Sequence, residues 1–210
     1  MTSKNSKRKT AMAQQNQLKF NDPAPDVELF DVNGKPVQLS SFWREKPLAL
    51  SFTRHFGCPQ CKEMVDQLIE AYPALQERGL GLVVVSHASA EATKQFCEQR
   101  APGVVCLADP QRAAYRAYGL HRGSFWQTLL SPRIWASNRR LARTKGYKPE
   151  LPPPGQDPYQ MSGVFIIGAD GRIRLPYYYE DIADHPPIDL ILHGIMGAGW
   201  DKPFDASPLV

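Results

Sequence analysis

The sequence has 210 residues, of which 42% are hydrophobic and 22% are charged, and this composition is ordinary for a soluble globular protein. No stretch approaches the roughly 18 consecutive apolar residues of a membrane helix, so we expect no membrane partner. The first residues lack the apolar core of a secretory signal, which makes the cytoplasm the expected location. Four cysteines are too few for a disulfide scaffold.

The formal net charge of +4 comes from particular segments rather than from the whole chain. Four basic residues lie within the first ten, and without them the rest of the chain is neutral. We therefore predict a disordered basic tail over residues 1–17. A second basic segment, residues 120–149, contains no Asp or Glu and predicts a local positive field.

The first predicted elements are a hairpin, a strand and a long helix. Alternating apolar residues flank Asn33-Gly34 within residues 24–42, which is a strong hairpin signal. Residues 48–52 read as a buried strand, and Pro59 opens a helix at its first position. We expect Pro73 to kink or shorten this helix and Gly79 to follow its end.

The remaining elements alternate and then change character after residue 120. Strands are predicted at 80–86 and 104–107, helices at 89–100 and 109–120, a Pro-rich insertion at about 121–160, a hairpin at 164–179 and a closing helix at 186–197. This order predicts an α/β fold, a three-layer α/β/α sandwich with an N-terminal hairpin and an insertion before the last β-hairpin. The predicted domain covers residues 18–200, followed by a tail at 201–210.

The candidate site is the segment TRHFGCPQCKE at residues 53–63. Cys58 stands at a helix N-terminus, where unpaired N–H groups and the helix dipole favour a thiolate. Arg54 and His55 precede it and could add positive charge. Cys61 follows one turn later on the face toward the sheet. This spacing predicts an exposed, acidic Cys58 that attacks and a sheltered Cys61 that resolves the mixed disulfide.

Other interpretations of these cysteines remain open from the residues alone. The pair could be small core residues, or it could be half of a zinc site, which would need a further cysteine or histidine pair. Cys97 and Cys106 are expected to be core thiols rather than additional resolving cysteines. Among the histidines, His55 is the candidate charge partner of Cys58, and His87 could line the same rim of the sheet.

Four segments carry a resemblance to a known family. They are APDVELFDVNGKPVQLSSF, KPLALSFTRHFGCPQCKE, LADPQRAAYRAYGL and SGVFIIGADGRI. Together they resemble the peroxiredoxin-like, AhpC/TSA branch of the thioredoxin-fold redoxins, and especially its CxxC subgroup of prostamide/prostaglandin F synthase-like proteins. The resemblance implies a thioredoxin-like fold and thiol–disulfide or antioxidant chemistry.

The sequence departs from the usual peroxiredoxin pattern at three positions. Peroxiredoxins carry Pro and Thr before the reactive cysteine and a distant Arg, and here Ser51, His55 and Ser162 occupy those places. Arg54 could replace the missing charge, although on an extended strand its side chain would point away from that of His55. Dithiol exchange is therefore a better supported inference than standard peroxidase activity.

The sequence thus predicts a thiol–disulfide oxidoreductase or peroxiredoxin-like antioxidant enzyme of cell redox homeostasis. The expected partners are a peroxide or disulfide substrate and a cellular thiol reductant such as a thioredoxin or glutathione system. We expect no cofactor, no metal and no nucleic acid, and the resemblance suggests a homodimer. The alternative is a thioredoxin-fold interaction or redox-sensing module, which the aromatic and basic insertion favours.

Overall fold

The computed structural model describes residues 17–194 and Trp200. Most of the predicted basic tail, the predicted C-terminal tail and Ile195 of the closing helix lie outside the described residues. The strands are β1 (Glu28–Phe30), β2 (Pro36–Gln38), β3 (Leu48–Phe52), β4 (Gly81–Ser86), β5 (Val105–Ala108), β6 (Gly163–Ile167) and β7 (Ile173–Tyr178). They form one sheet in the order β2-β1-β5-β4-β3-β6-β7. The pairs β3–β4 and β4–β5 are parallel, and the other pairs are antiparallel.

Five α-helices and two shorter helical turns complete the described chain. The helices are α1 (Pro59–Glu77), α2 (Ala90–Arg100), α3 (Ala113–Ala117), α4 (Pro132–Thr144) and α5 (Ile188–His193). The turns are a 3₁₀ turn at Leu39–Phe42 and a π-helical turn at Trp126–Leu130. Within the described residues, no helix combines the length and the apolar character needed to cross a membrane.

Apolar residues cover both faces of the sheet, as the predicted sandwich requires. Successive residues of a strand point to opposite faces. Leu50 and Phe52 therefore pack with Tyr115 of α3 on one face, whereas Ala49 packs with Leu68 of α1 on the other. The predicted three-layer α/β/α architecture is confirmed, with Cys58 at the carboxyl end of β3.

The predicted N-terminal hairpin forms, with Leu29 opposite Val37. Gly34 has φ +78°, a left-handed conformation that glycine adopts without steric cost. The side chain of Asp31 accepts hydrogen bonds from the N–H groups of Asn33 and Lys35 and closes the turn. Beyond the prediction, Phe30 of β1 also pairs with Ala108 of β5, so the hairpin extends the sheet.

Helix α1 begins at Pro59 as predicted, but Pro73 does not shorten it. The helix continues to Glu77, and Gly79 with φ +70° follows its end. Proline removes one backbone hydrogen bond, which packing of the helix can offset. Burial of Leu68 before Pro73 and of Leu75 after it anchors both sides of the helix.

Helix α3 begins later than predicted, at Ala113 rather than near Pro110. The carboxylate of Asp109 accepts hydrogen bonds from the N–H groups of Ala113, Ala114 and Tyr115, and so it caps the helix from four residues upstream. Arg112 adopts φ +56° to bring the chain around to this position. The sequence did not reveal the turn that separates Asp109 from the start of the helix.

The insertion is more helical than predicted, and its charge is partly neutralised. Helix α4 packs on α1 through Ile134 and Leu141, which are both buried. Arg140 forms two hydrogen bonds of 2.6 and 2.8 Å with the buried carboxylate of Glu63. Other basic residues of the segment pair with acids elsewhere in the chain, namely Arg122 with Asp157, Arg133 with Asp181 and Asp184, and Lys145 with Asp66. Because these counter-ions come from outside residues 120–149, the predicted local positive field is weaker than the composition of the segment alone suggests.

Cys97 and Cys106 are joined by a disulfide, with their Cα atoms 6.5 Å apart. The expectation of free core thiols is thus only half correct, since both residues are buried but bonded. The last turn of α2 packs against β5, and this contact brings together two cysteines that the sequence places on separate elements. Phe96, next to Cys97, stacks on Phe56 of the candidate site with ring centroids 4.1 Å apart.

We predict that reducing the Cys97–Cys106 bridge lowers the free energy of unfolding by about 2–3 kcal/mol, because a short loop loses its constraint in the unfolded chain. The measurement is urea unfolding with and without reductant in a Cys58→Ser/Cys61→Ser background, where reductant can act on no other cysteine pair. A further Cys97→Ala/Cys106→Ala variant serves as the control and should show no dependence on reductant. Equal unfolding midpoints in both conditions for the bridged protein would contradict the prediction.

Candidate active site

The candidate site is built where the loop after β3 enters α1. Cys58 is the N-cap of α1, and Pro59 occupies the first helical position. The N–H of Cys58 donates to the carbonyl of His55 at 3.1 Å, which folds the loop into a tight turn. The first-turn N–H groups of a helix carry positive partial charge, so a thiolate at the N-cap is favoured.

Arg54 lies beside Cys58, although it is only 3% exposed. Its Nη1 donates to the Sγ of Cys58 at 3.3 Å, and its Nε donates to the carbonyl of Gln160 at 3.0 Å. Nη2 donates to the carbonyl of Pro158. No carboxylate of the described chain forms an ion pair with Arg54. Its buried positive charge is therefore directed at the sulfur of Cys58.

The two free thiols of the motif have opposite acidities. Burial disfavours a thiolate at Cys58, but a hydrogen bond from the Cys61 thiol and the charge of Arg54 outweigh it and lower the pKa of Cys58 to about 6. At Cys61, burial and the neighbouring Cys58 raise the pKa well above the ordinary thiol value. At neutral pH, Cys58 is thus mainly a thiolate and Cys61 remains a thiol.

His55 lies in the site but does not supply the charge that the sequence suggested. Burial, together with the charge of Arg54, lowers the pKa of His55 to about 3, so the ring is neutral at pH 7. His87 is also neutral, because burial and Arg112 lower its pKa to about 4. Its Nε2 accepts a hydrogen bond from the N–H of Asp157 at 2.9 Å, which fixes the insertion segment that holds Arg54.

The Pro-rich part of the insertion covers the reactive cysteine. The N–H of Glu150 donates to the carbonyl of Gly57 at 3.0 Å, and the carboxylate of Glu150 pairs with Lys62 at 2.8 Å. A Cβ at position 57 would lie 2.7 Å from the carbonyl oxygens of both Glu150 and Leu151. We call residues 149–152 the cover, and its close approach requires glycine at position 57.

A cavity of about 470 Å³ lies between the cover, α4 and the reactive loop. Cys58 lines it together with Arg54 and His55, and much of the remaining wall is apolar, including Leu129, Ile134, Leu151, Pro152 and Ile182. Cys58 is only 1% exposed, so the expectation of an exposed nucleophile is wrong. The reason is the cover, whose packing on the loop was not foreseen from the sequence. The cavity instead gives a small molecule a route to the sulfur.

The side chain of Arg54 also lies differently from expectation. A strand would direct Arg54 and His55 to opposite sides, but β3 ends at Phe52, and the loop brings both residues to the cavity. Ser162 lies near Cys61 rather than Cys58, since the two residues line a common void. Arg54 thus supplies, beside Cys58, the positive charge that the usual peroxiredoxin pattern carries at the position of Ser162.

Three glutamines of the site were missed in the sequence. Gln60 is fully buried, with its Oε1 3.5 Å from the Sγ of Cys58 and its Nε2 donating to Asn138 of α4 at 2.7 Å. Gln156 accepts from the N–H of Phe56, and Gln160 presents the carbonyl that holds Arg54. Only Gln60 carried a sequence signal, its place between the two cysteines.

Chemically, the arrangement offers a polarised thiolate, a neighbouring thiol within hydrogen-bond reach and a cavity that leads to Cys58. Among the described residues, no group of three or more His, Cys, Asp or Glu side chains could hold a metal ion. The site chemistry that these residues support is nucleophilic attack by sulfur followed by disulfide formation.

Comparison with known proteins agrees with this geometry. The model of the AhpC/TSA family matches residues 20–175. Peroxiredoxin-like 2C of Bos taurus is 28% identical over 80% of this chain and 75% of its own. Prostamide/prostaglandin F synthase of Salmo salar is 26% identical over 77% and 80%, respectively. The crystal structure of peroxidoxin BcpB from Mycobacterium tuberculosis superposes with a TM-score of 0.55 at 22% identity, covering 80% of this chain and 90% of that one, which supports the thioredoxin-like fold. The chain therefore belongs to the AhpC/TSA family.

Proposed function

We propose that the protein is a thiol–disulfide oxidoreductase of the peroxiredoxin-like type, with Cys58 as the nucleophile and Cys61 as the resolving thiol. Membership of the AhpC/TSA family supports a redox function. The observation that carries the proposed roles is the hydrogen bond from buried Arg54 to the Sγ of Cys58, with Cys61 adjacent. One cysteine is thereby activated while the other keeps its proton.

The proposed cycle has two steps. The thiolate of Cys58 attacks the terminal oxygen of a peroxide, the O–O bond breaks, and the alkoxide leaves and takes up a proton to become an alcohol. The sulfur of Cys61 then attacks the sulfenic acid on Cys58, forms the disulfide and releases water. With a disulfide substrate, Cys58 forms a mixed disulfide instead, and Cys61 releases the second substrate thiol.

Burial of the site favours a small organic peroxide as the oxidant. Cys58 is reached through a cavity of about 470 Å³, which is a size typical of small-molecule sites. A folded protein disulfide would have to displace the cover before it met the sulfur. Arg54 would polarise the peroxide in place of the Thr and Arg that the usual pattern carries at the positions of His55 and Ser162.

The remaining assignments follow from this chemistry. A disulfide between Cys58 and Cys61 needs a cellular thiol reductant, such as a thioredoxin or glutathione system, to complete the cycle. We propose a reducing compartment, the cytoplasm, as the site of action and a homodimer as the assembly. We also keep one domain over residues 18–200, with its insertion at about 121–160. Co-purification with a thioredoxin trap and sedimentation equilibrium would test the reductant and the dimer.

We predict that Cys58→Ser abolishes peroxide consumption, because no thiolate remains in the cavity. Cys61→Ser should consume about one equivalent of peroxide and then stop, since the oxidised Cys58 has no resolving partner. The measurement is peroxide loss against protein concentration, with mass spectrometry to map the oxidised sulfur. Cys61→Ser is assayed with the reductant of the wild-type reaction as the only added thiol. Sustained consumption of peroxide under these conditions would contradict the role given to Cys61.

We further predict that alkylation of Cys58 depends on pH with a midpoint of about 6, because the thiolate is lost as the pH falls through this pKa. Arg54→Gln removes the stabilising charge and should raise the midpoint, so that the rate at pH 7 falls at least about tenfold. The probe is iodoacetamide, with mass spectrometry to follow alkylation at Cys58 alone, and Cys61 is retained because its hydrogen bond also lowers the pKa of Cys58. Arg139→Gln, an exposed site on α4, is the matched control and should leave the midpoint unchanged. An Arg54→Gln profile equal to that of the control would refute the charge argument.

A second candidate function, a redox-sensing interaction module, is favoured by an exposed apolar surface on the insertion. Its members are at least 42% exposed and comprise Phe125, Trp126, Leu129, Leu130 and Trp135. Apolar clusters of this kind often mark interaction sites. If partner binding is the function, Trp126→Ser/Trp135→Ser should abolish partner capture while the pH profile of Cys58 stays unchanged. Unaltered capture by this variant would remove the support for the second candidate.

A further inference from the structure

Cys61 and His185 meet across a small internal void on the side of the site away from the cavity. We propose that His185 is the proton relay of the resolving step, accepting the proton of Cys61 through a water molecule held in this void. The inference rests on the proposed function, since a relay is needed only if Cys61 attacks oxidised Cys58. None of the sequence motifs or similarities described above points to His185.

The void has a volume of about 10 Å³, near the lower limit of about 10–15 Å³ that one water molecule requires. Cys61, Ser162, Tyr179 and His185 line it, and the chain at residues 51–53 closes it. The ring of His185 packs edge-on against Tyr179, with centroids 5.3 Å apart. The site is thus next to the resolving sulfur and of the size of a single water.

Several polar atoms around this void make no hydrogen bond to any described protein atom. They are the Oγ of Ser162 and both ring nitrogens of His185, all of them buried. Buried polar atoms are almost always satisfied, and a buried water typically makes about three hydrogen bonds. A water between Ser162, His185 and the sulfur of Cys61 would have three such partners.

His185 also connects the void to the surface. It lines a second, outer groove of about 620 Å³ together with Glu63, Glu70 and Arg140. A neutral imidazole carries an N–H on one nitrogen and a lone pair on the other. It can accept a proton from the water at one nitrogen and release its own from the other. His185 therefore gives a proton on Cys61 a path to the groove that does not pass Cys58.

The relay solves a problem that burial creates at Cys61. Burial and Cys58 raise the pKa of this thiol, so too little thiolate is present for fast attack. In the resolving step, two electrons of the Cys61 sulfur form the S–S bond and the S–O bond of the sulfenic acid breaks. The thiol proton leaves through His185 to solvent in the groove, and the departing hydroxide takes up a proton from solvent that reaches Cys58 through the cavity, which forms water and leaves no net proton gained or lost. The step is balanced with no additional reactant.

The groups facing His185 keep it neutral and able to accept. Burial lowers its pKa to about 4, against the opposing charges of Glu63 from α1 and Asp184 from its own segment. Arg140 from α4 lowers the pKa further, and Asp181 raises it. A ring that is neutral at physiological pH has a free lone pair that can take up a proton, and its low pKa makes it release that proton again to the groove.

The test separates the two chemical steps in single-turnover experiments with hydrogen peroxide. His185→Phe preserves the aromatic packing but cannot relay a proton. We expect oxidation of Cys58 to keep its wild-type rate, while formation of the Cys58–Cys61 disulfide at pH 7 slows by about 100-fold. The deficit should shrink as the pH rises, because hydroxide can then remove the proton of Cys61 without the relay. If the Phe variant does not fold, His185→Gln takes its place. Glutamine forms hydrogen bonds but does not titrate, so this variant should slow the same step.

Two further measurements decide the outcome. Imidazole added to His185→Ala should restore disulfide formation through the outer groove, a rescue that a purely structural role would not give. His193→Phe, at an exposed histidine of α5, is the matched control and should behave as wild type. Wild-type disulfide rates in the folded His185 variants would overturn the relay and leave the proposed function standing. If wild-type protein forms no Cys58–Cys61 disulfide at all, both the proposed function and the relay fail.

Discussion

The burial of one guanidinium organises this site. Arg54 is buried and pairs with no carboxylate among the described residues, and its hydrogen bonds to two backbone carbonyls and to the sulfur of Cys58 must offset the cost of its desolvation. Those carbonyls belong to Pro158 and Gln160, at the far end of the insertion. The reactive loop and the insertion are consequently joined through the guanidinium that activates the thiol of Cys58. If residues 156–160 became disordered, Arg54 would lose its carbonyl partners. The thiolate of Cys58 would then be less well stabilised, even where no contact with the sulfur is lost.

A second consequence of burial is that the two cysteines of one short motif differ in acidity. Cys58 and Cys61 are both almost fully buried, yet burial does not determine their acidities equally. The guanidinium of Arg54 and the N-terminus of α1 face Cys58, whereas Cys61 receives only the backbone N–H of Arg54, at 3.4 Å, and lies beside Cys58. The same low-dielectric surroundings that raise the pKa of Cys61 also strengthen the charge interactions that lower the pKa of Cys58. Neighbouring positions therefore differ in chemistry because they differ in which charges they face.

Local signals in the sequence were sufficient for the parts of the fold that depend on a few consecutive residues. Asn33-Gly34, Pro59 and Gly79 fix a turn, a helix start and a helix end by their own backbone preferences, and each lies where it was predicted. Parts that depend on distant contacts were not predictable in this way. The bond between Cys97 and Cys106 requires α2 to lie on β5, and the shielding of Cys58 requires a Pro-rich segment some 90 residues away to fold back on it. Pattern and spacing located the two cysteines of the site, but the orientation of Arg54 and the presence of Gln156 and His185 became visible only in three dimensions.

The close approach of the cover to Gly57 makes this position a sensitive point for altering access to the site. A single methyl group there would press on two backbone carbonyls, which cannot rotate away as a side chain could. The cover would have to shift, while the cysteines, Arg54 and the start of α1 would keep their own covalent and hydrogen-bonded surroundings. The size of molecule that this fold admits to its sulfur is thus governed by the absence of one side chain, and that limit can be changed independently of the chemistry beneath it.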